Sequence, residues 1–166
     1  MQANHSIKRC LFEYYSILSI TAFLLAFLLL TFGFLDWKAL IIIEGGILSF
    51  AFSVQKQQLE EVRLFKELFS KFNERYDAQN DNLNHIYLRH QRNPELAFDE
   101  SEIVALFNYF NLCAEEYLYF KQGFIYPEVW QAWKNGMKFF RQNHKIQKLW
   151  DEELKTDSYY GLSFEY

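Results

Sequence analysis

Two apolar runs in the first third of the sequence constrain this chain more than any other feature. The residues from Tyr14 to Leu35 carry no charge, and after a short break the chain is again largely apolar from Ala39 to Val54. As a helix, the first run would extend roughly 30 Å, which is the thickness of the hydrocarbon core of a bilayer. This part of the chain is therefore expected to lie in a membrane.

The second run is shorter and imperfect. It would extend about 24 Å as a helix, and it contains Glu44 followed by Gly45 and Gly46. It could be a thin or tilted span, a helix whose ends reach the interface, or a re-entrant segment. A second span is favoured, because the break at residues 36–38 is too short to do more than turn the chain, which gives a transmembrane hairpin over residues 11–55.

Basic residues indicate the orientation of this hairpin. Lys8 and Arg9 precede the first run, and the second run is followed by Lys56, Arg63 and Lys66. Between the two runs the only basic residue is Lys38. The positive-inside bias therefore predicts two spans with both termini in the cytoplasm. A secretory signal peptide is the alternative, but the first run is long for one and no Ala-x-Ala-like cleavage site follows it.

The remainder of the chain has room for one small domain. Aromatic residues make up 20% of the sequence, which has only 6 Gly and 2 Pro, and this balance favours helices packed through rings. The expected fold class is all-α: an N-terminal transmembrane helical hairpin, a helical stalk over residues 56–76, and a small cytoplasmic helical domain over residues 77–166.

The stalk carries an apolar seam. Its members are spaced by three and four residues, as in a heptad repeat: Val62, Phe65, Phe69, Phe72 and Tyr76. Two alternatives stay open, since the seam can pair with copies of itself or pack on the C-terminal domain of its own chain.

The start of the predicted domain is ambiguous. Residues 77–84 are rich in Asn and Asp and are expected to form a loop or a frayed helix end. Residues 85–92 mix apolar and basic side chains before Asn93 and Pro94, and they can form either a short helix or an edge strand.

Later signals are stronger. Asp99 with Glu102 is typical of a capping box at the start of a helix, and Gly123 stands where that helix should end. Pro127 suits the first turn of the next helix. A last short helix is expected around residues 149–154, followed by a tail from Asp157.

Nothing in the sequence predicts catalysis. The four His (5, 85, 90 and 144) are scattered, the two Cys have no metal spacing, and there is no glycine-rich phosphate loop. We therefore expect neither an enzyme nor a bound metal or cofactor. The net charge of −4 argues against general binding of duplex nucleic acid.

Basic clusters predict binding of a phosphate-bearing ligand. One cluster comprises Arg89, His90 and Arg92. The other is a stripe that would be continuous if one helix ran through it, with members Lys134, Lys138, Arg141, Lys145 and Lys148. Cations grip phosphates while neighbouring rings stack bases. The alternatives are a solvated face, or a surface that rests on anionic lipid headgroups.

Glu44 is the candidate residue within the membrane. A carboxylate in an apolar span is costly and should face a partner helix or water. Because Gly45 and Gly46 allow helices to approach closely, these three residues can mark a pore lining or an oligomer seam. Alternatively, the segment lies shallow enough for Glu44 to reach the interface.

The layout also resembles a known family. Residues 107–133 read as an aromatic-rich helix, a turn at Gly123-Phe124-Ile125 and an amphipathic helix with Trp130 and Trp133. Placed after a two-span hairpin, this pattern resembles the small transmembrane accessory effectors of type III CRISPR systems and related bacterial anti-phage membrane proteins. No binding motif of that family maps onto this chain residue by residue.

The resemblance implies a protein of the bacterial inner membrane whose cytoplasmic domain binds a cyclic oligoadenylate, cyclic tetra-adenylate in particular. It also implies an oligomer, a tetramer, that perturbs the bilayer. The charge argument would place the ligand on Arg89, His90, Arg92, Lys138 and Arg141. The alternative is a constitutive membrane scaffold or channel subunit whose aromatic domain binds a protein partner.

Overall fold

The computed structural model describes residues 2–164, and for residues 2–9 it describes the backbone only. Lys8 and Arg9, on whose side chains part of the orientation argument depends, and residues 165–166 of the predicted domain therefore lie outside the described side chains. The chain forms five α-helices: α1 (Gln2–Thr31), α2 (Trp37–Arg92), α3 (Glu100–Lys121), α4 (Pro127–Phe140) and α5 (His144–Leu154). No strand occurs in the described residues, which confirms the all-α class.

The helices fall into two compact units, Met1–Arg63 and Leu64–Tyr166. Helix α2 is uninterrupted and contributes residues 37–63 to the first unit and residues 64–92 to the second.

The first unit leaves many of its large apolar side chains uncovered. Large side chains such as Ile17, Leu24, Ile42 and Phe52 are more than half exposed, which in water would be unfavourable by roughly 25 cal/mol per Å² of apolar surface. Both helices are long and apolar enough to cross a membrane, by length and composition.

The two apolar helices are separated by a short turn. Helix α1 ends inside the first apolar run, because Gly33 takes a left-handed conformation with φ of 76° and its N–H donates to the Leu30 carbonyl at 3.0 Å. The Asp36 carboxylate then accepts from the Ala39 N–H at 2.7 Å and caps the start of α2. In the same unit, Gln58 Nε2 donates to the Phe12 carbonyl at 2.9 Å.

The predicted loop over residues 77–84 is wrong, because α2 continues through it. The Asn84 amide donates to the Asn80 side chain one turn earlier at 3.1 Å, and Leu83, Ile86 and Tyr87 are buried in the core of the second unit. Burial of one face thus outweighs the low helix propensity of the Asn-rich stretch.

The open choice for residues 85–92 is resolved in favour of helix. This segment is the last part of α2, which ends at Arg92 just before Asn93 and Pro94. Arg89, His90 and Arg92 occupy the last turn, where positive charge is favourable beside the unpaired carbonyl groups.

The capping box, Gly123 and Pro127 signals are confirmed, and the last short helix is present but begins earlier than expected, at His144. Asp99 caps α3 and forms the complete capping box with Glu102. Gly123, with φ of 84°, follows the end of α3, and the Phe124 N–H reaches back to the Tyr119 carbonyl at 3.0 Å. Pro127 is the first residue of α4.

Rings fill the core of the second unit. Trp150 of α5 stacks on Phe110 of α3 with ring centroids 4.4 Å apart, and Tyr109 meets the same indole edge-on at 5.5 Å. The segment after α5 also packs here, since Tyr159 and Leu162 are buried and Phe164 contacts Trp150 at 5.0 Å.

The apolar seam packs on its own chain within the second unit. Phe65 contacts Tyr126 at 4.3 Å, while Phe69 and Phe72 contact Trp133 at 6.1 and 5.7 Å. Of the two alternatives for the seam, the contacts within one chain therefore account for these three rings.

Replacing Leu83 with alanine tests whether α2 is part of the core beyond residue 76. Leu83 is fully buried, so Leu83→Ala should lower the free energy of unfolding by about 2–5 kcal/mol. Leu88→Ala, at a site on the same helix that is 45% exposed, is the matched control and should cost less than about 1 kcal/mol. Thermal unfolding followed by near-ultraviolet circular dichroism measures both, and equal losses would contradict this packing.

Candidate functional site

The Arg89 cluster is organised around the buried carboxylate of Glu102. His90 Nε2 donates to Glu102 Oε2 at 2.9 Å, Arg89 Nη1 donates to Glu102 Oε1 at 2.8 Å, and the Asp99 N–H donates to Oε2 at 3.0 Å. Arg89 also pairs with Asp99 at 3.1 Å. This cluster joins the last turn of α2 to the first turn of α3.

These contacts set the charge states of the acids. Burial raises the pKa of Glu102, but the hydrogen bonds from His90 and the Asp99 backbone, with the charge of Arg89, outweigh it and lower this pKa overall. Hydrogen bonds from Ser101, the Glu102 N–H and Arg89 lower the pKa of Asp99 to about 2. Two carboxylates therefore compensate the charge of Arg89.

His90 belongs to the interior of the protein. Its side chain is fully buried against Phe98, with ring centroids 4.2 Å apart. Its Nδ1 has no hydrogen-bond partner in the part of the chain that the structure describes. In this structure the predicted ligand residues Arg89 and His90 are brought together, but their polar groups point at Glu102. Arg92 is exposed at the end of the helix.

The second basic stripe is not continuous. Helix α4 ends at Phe140, and α5 begins at His144 after Asn143, whose side chain accepts from the Lys145 and Ile146 N–H groups and donates to the Tyr87 carbonyl. This cap is the physical reason why the stripe is broken. Lys138 therefore remains exposed on α4, while the later lysines lie on α5.

The breaking of the stripe gives Arg141 a different setting. Its Nη2 pairs with Asp151 at 2.8 Å, and its guanidinium lies 4.2 Å from the centre of the Phe164 ring. Its Nη1 is buried without a hydrogen-bond partner among the described residues. One donor of this arginine is thus left to be satisfied.

Arg141 lines an open cavity of about 660 Å³. The other polar residues in its wall are Gln147, Asp151, Ser163 and Lys155, and Phe164 contributes its ring. The sequence prediction named Arg141 but missed Lys155 and Phe164, because Lys155 shares the cavity wall only through the packing of α5, and Phe164 reaches Arg141 only after the chain turns back beyond α5. The left-handed residues of that turn are Asp157, Tyr160 and Gly161.

A second cavity, of about 170 Å³, lies between α2, α3 and α4. Its wall combines a carboxyl with phenol and indole rings and small or apolar groups, from Asn73, Tyr76, Tyr109, Glu116, Ala132, Trp133, Gly136 and Met137. Nothing in the sequence singles out Glu116, because its environment depends on three separate helices.

Glu116 is ionised with difficulty. Its side chain is buried, and burial raises its pKa to about 8, with Arg75 opposing this rise and Glu115 adding to it. Arg75 is committed to the neighbouring acid, since its guanidinium forms two hydrogen bonds to Glu115 at 2.5 and 3.1 Å. Glu116 therefore holds a proton at neutral pH.

The predicted membrane site lies in the first unit. Glu44 is half-buried, and Gly45 and Gly46 have no atom within 4 Å of where a Cβ would stand. Gly46 also lines an apolar groove with residues of α1, including Leu18 and Ala22. The space beside these two glycines is thus not occupied by other described atoms of the same chain.

The described side chains contain no group of three or more His, Cys, Asp or Glu that could hold a metal ion. In comparisons with protein families, curated proteins and solved structures, nothing matches this chain. The candidate sites therefore rest on the geometry alone.

Removing the Glu102 carboxylate should uncouple α2 from α3. Glu102→Ala leaves His90 buried without its partner and removes one acid from Arg89, so it should lower the free energy of unfolding by about 3 kcal/mol. The control Glu100→Ala alters an exposed acid in the same turn and should cost less than about 1 kcal/mol. Chemical unfolding of both variants measures the difference, and a loss below 1 kcal/mol for Glu102→Ala would contradict the role of this cluster.

The stability of the protein should depend on the proton of Glu116. The unfolded chain releases this proton near pH 4.5, whereas the folded chain holds it until about pH 8, so the free energy of unfolding falls as the pH rises between these values. The side chain in Glu116→Gln cannot ionise, so this variant should not lose stability in this way. Its free energy of unfolding should rise relative to that of the unchanged protein by on the order of 1 kcal/mol per pH unit. Thermal unfolding from pH 5 to pH 9 should show a growing advantage of the variant.

The exposed Glu95 supplies the matched control for that series. Glu95→Gln should follow the unchanged protein across the whole pH range. A constant difference between Glu116→Gln and the unchanged protein from pH 5 to pH 9 would contradict the raised pKa.

Proposed function

We propose that this chain is a non-enzymatic effector of antiviral defence in the bacterial inner membrane. Its second unit would bind a cyclic oligoadenylate. The observation that carries the ligand site is the pair of cations, Arg141 and Lys155, in the wall of an open cavity that also contains the Phe164 ring. Guanidinium and ammonium groups favour an anionic acceptor, and phosphate is one of the anions that arginine and lysine bind in proteins.

The anchor of the proposed effector is the first unit. Both of its helices are long and apolar enough to span, and their large side chains are exposed within the chain. We propose a two-span hairpin over residues 11–55 with both termini in the cytoplasm, so that the second unit would lie on the cytoplasmic side.

The ligand would use the Arg141 cavity. Arg141 and Lys155 would hold phosphates, Gln147 would hydrogen-bond to a base or sugar, and the Phe164 ring would stack on an adenine. Lys138 and Arg92 remain as exposed cations for the outer phosphates of a ring-shaped ligand. Arg89 and His90, which pair with Glu102, would support the fold rather than contact the ligand.

Signalling requires that the ligand favour one arrangement of the protein over another. We propose that binding changes how copies of the chain assemble, as a tetramer, and that the Glu44–Gly46 segment is the seam along which their membrane helices meet. The open space beside Gly45 and Gly46 supports close approach by a second copy. Rearrangement of these helices would perturb the bilayer.

Exposed rings favour one other function. Phe124, Tyr126 and Phe139 are each more than 40% exposed in the second unit, and exposed rings are typical of contacts with a protein partner. A constitutive scaffold or channel subunit would use this surface. The two functions differ in their dependence on salt, since phosphate binding weakens as salt rises while apolar contact does not.

Titration of the full chain in a non-ionic detergent with cyclic tetra-adenylate tests the proposed ligand. We expect micromolar or tighter binding by calorimetry that weakens as salt rises. Lys155→Ala should weaken binding about tenfold, because one charge-assisted contact contributes about 1.5 kcal/mol. Arg141→Gln should weaken it at least as much.

Lys121 provides the matched control, since it is also an exposed lysine at the end of a helix and lies outside the cavity. Lys121→Ala should bind as the unchanged protein does. Absence of binding at micromolar concentrations, or equal effects of the two lysine variants, would overturn the proposal.

A further inference from the structure

The Glu116 cavity has the size of a small organic ligand. Its volume of about 170 Å³ is close to that of a cavity of about 150 Å³ that accommodates benzene in another protein. All of its walls belong to the second unit. Ala132 is exposed and Gly136 half-exposed, so the α4 side gives access from solvent.

The cavity contains one acid and no basic side chain among its lining residues. Glu116 is 5% exposed and forms no hydrogen bond or ion pair with the described part of the chain. The nearest cation, Arg75, already binds Glu115 through two hydrogen bonds. The Glu116 carboxyl is thus a buried acid whose partial counter-charge, in the described part of the chain, is a guanidinium already hydrogen-bonded to another acid.

The rest of the wall suits an organic cation better than a metal ion. The rings of Tyr76, Tyr109 and Trp133 line the cavity, and aromatic rings attract ammonium groups while tolerating their methyl substituents. A divalent metal would need several oxygen ligands, whereas Glu116 is the sole carboxylate of this wall.

We infer that this cavity binds a small organic cation, a methylated ammonium or a protonated amine, whose charge pairs with Glu116 and whose alkyl groups contact the rings of Trp133 and Tyr76. The inference does not depend on the proposed function, because the Arg141 cavity has none of these residues in its wall.

Such a ligand would compete with a proton. Burial keeps Glu116 protonated up to about pH 8, and only the carboxylate can pair with a cation. Other titratable and charged groups lie near it. Burial raises the pKa of each nearby phenol and of the thiol, Arg75 is paired with Glu115, and α4 adds no titratable group to the described wall. These groups are Arg75 and Tyr76 of α2, and Tyr109, Cys113 and Glu115 of α3.

Tetramethylammonium is the probe, because its charge is permanent and any dependence on pH then reports the protein. Calorimetric titration of the full chain in a non-ionic detergent should show one site per chain. Binding at pH 8.5 should be more than tenfold tighter than at pH 6.5. The neutral analogue tert-butanol, of similar size, should bind at least tenfold more weakly at pH 8.5.

Gly136 allows a variant whose loss of binding cannot be ascribed to misfolding. A Cβ at this position meets nothing within 4 Å, and replacing a helical glycine improves helix propensity. Gly136→Leu should therefore fold at least as well as the unchanged protein but fill the cavity and abolish binding. Asn135→Leu, at the exposed neighbouring position, should retain it.

Glu116→Gln should bind tetramethylammonium and tert-butanol equally weakly and lose the dependence on pH. The inference is overturned if the unchanged protein does not bind tetramethylammonium, binds both probes equally, or binds with equal affinity at pH 6.5 and 8.5. Retention of binding by Gly136→Leu would also overturn it.

Discussion

The rest of the structure depends on helix α2, which exposes apolar side chains in one of its parts and buries them in the other. In the first unit, α2 exposes large apolar side chains such as Ile42 and Phe52, whereas in the second unit it buries Leu83 and Ile86. The helix is continuous from Trp37 to Arg92. The first part of this helix therefore leaves large apolar surface uncovered within the chain, whereas the second part buries its apolar face in a packed core.

In the second unit, the contacts of Glu102 lie where helices end, and ring contacts lie where helices pack. The Glu102 carboxylate caps α3 and also receives Arg89 and His90 from the end of α2. The Trp150 indole contacts rings from α3 and from the C-terminal segment. Arg141 and Glu116 differ from this pattern, because each lines a cavity.

Those parts of the fold that local rules determine were predictable from the sequence. The capping box of Asp99 and Glu102, the left-handed Gly123 and the first-turn Pro127 each act within a few residues, and the structure confirms all of them. Residues 77–84 were not predictable in this way. Their polar composition favours a loop, and only the burial of Leu83 by residues distant in sequence makes them helical.

The candidate sites depend still more on tertiary structure. A charge count identified Arg89 as a ligand group, but it could not show that Glu102, assigned to a capping box, also neutralises it. The same count identified Arg141 without its cavity, because Phe164 reaches it only after the chain turns back. Glu116 had no sequence signal, since burial by neighbouring helices is what changes its proton affinity.

The most direct test of this account compares two serines on α2. Ser49 and Ser70 are both exposed within the chain, so cysteines at these positions would react equally in water. Each variant would be made in a Cys10→Ser background and reconstituted in lipid vesicles, and a water-soluble maleimide would be applied to the side of the bilayer that carries the second unit. The reagent should label Ser70→Cys. It should leave Ser49→Cys unlabelled until detergent is added. Equal labelling of both positions in intact vesicles would contradict the account.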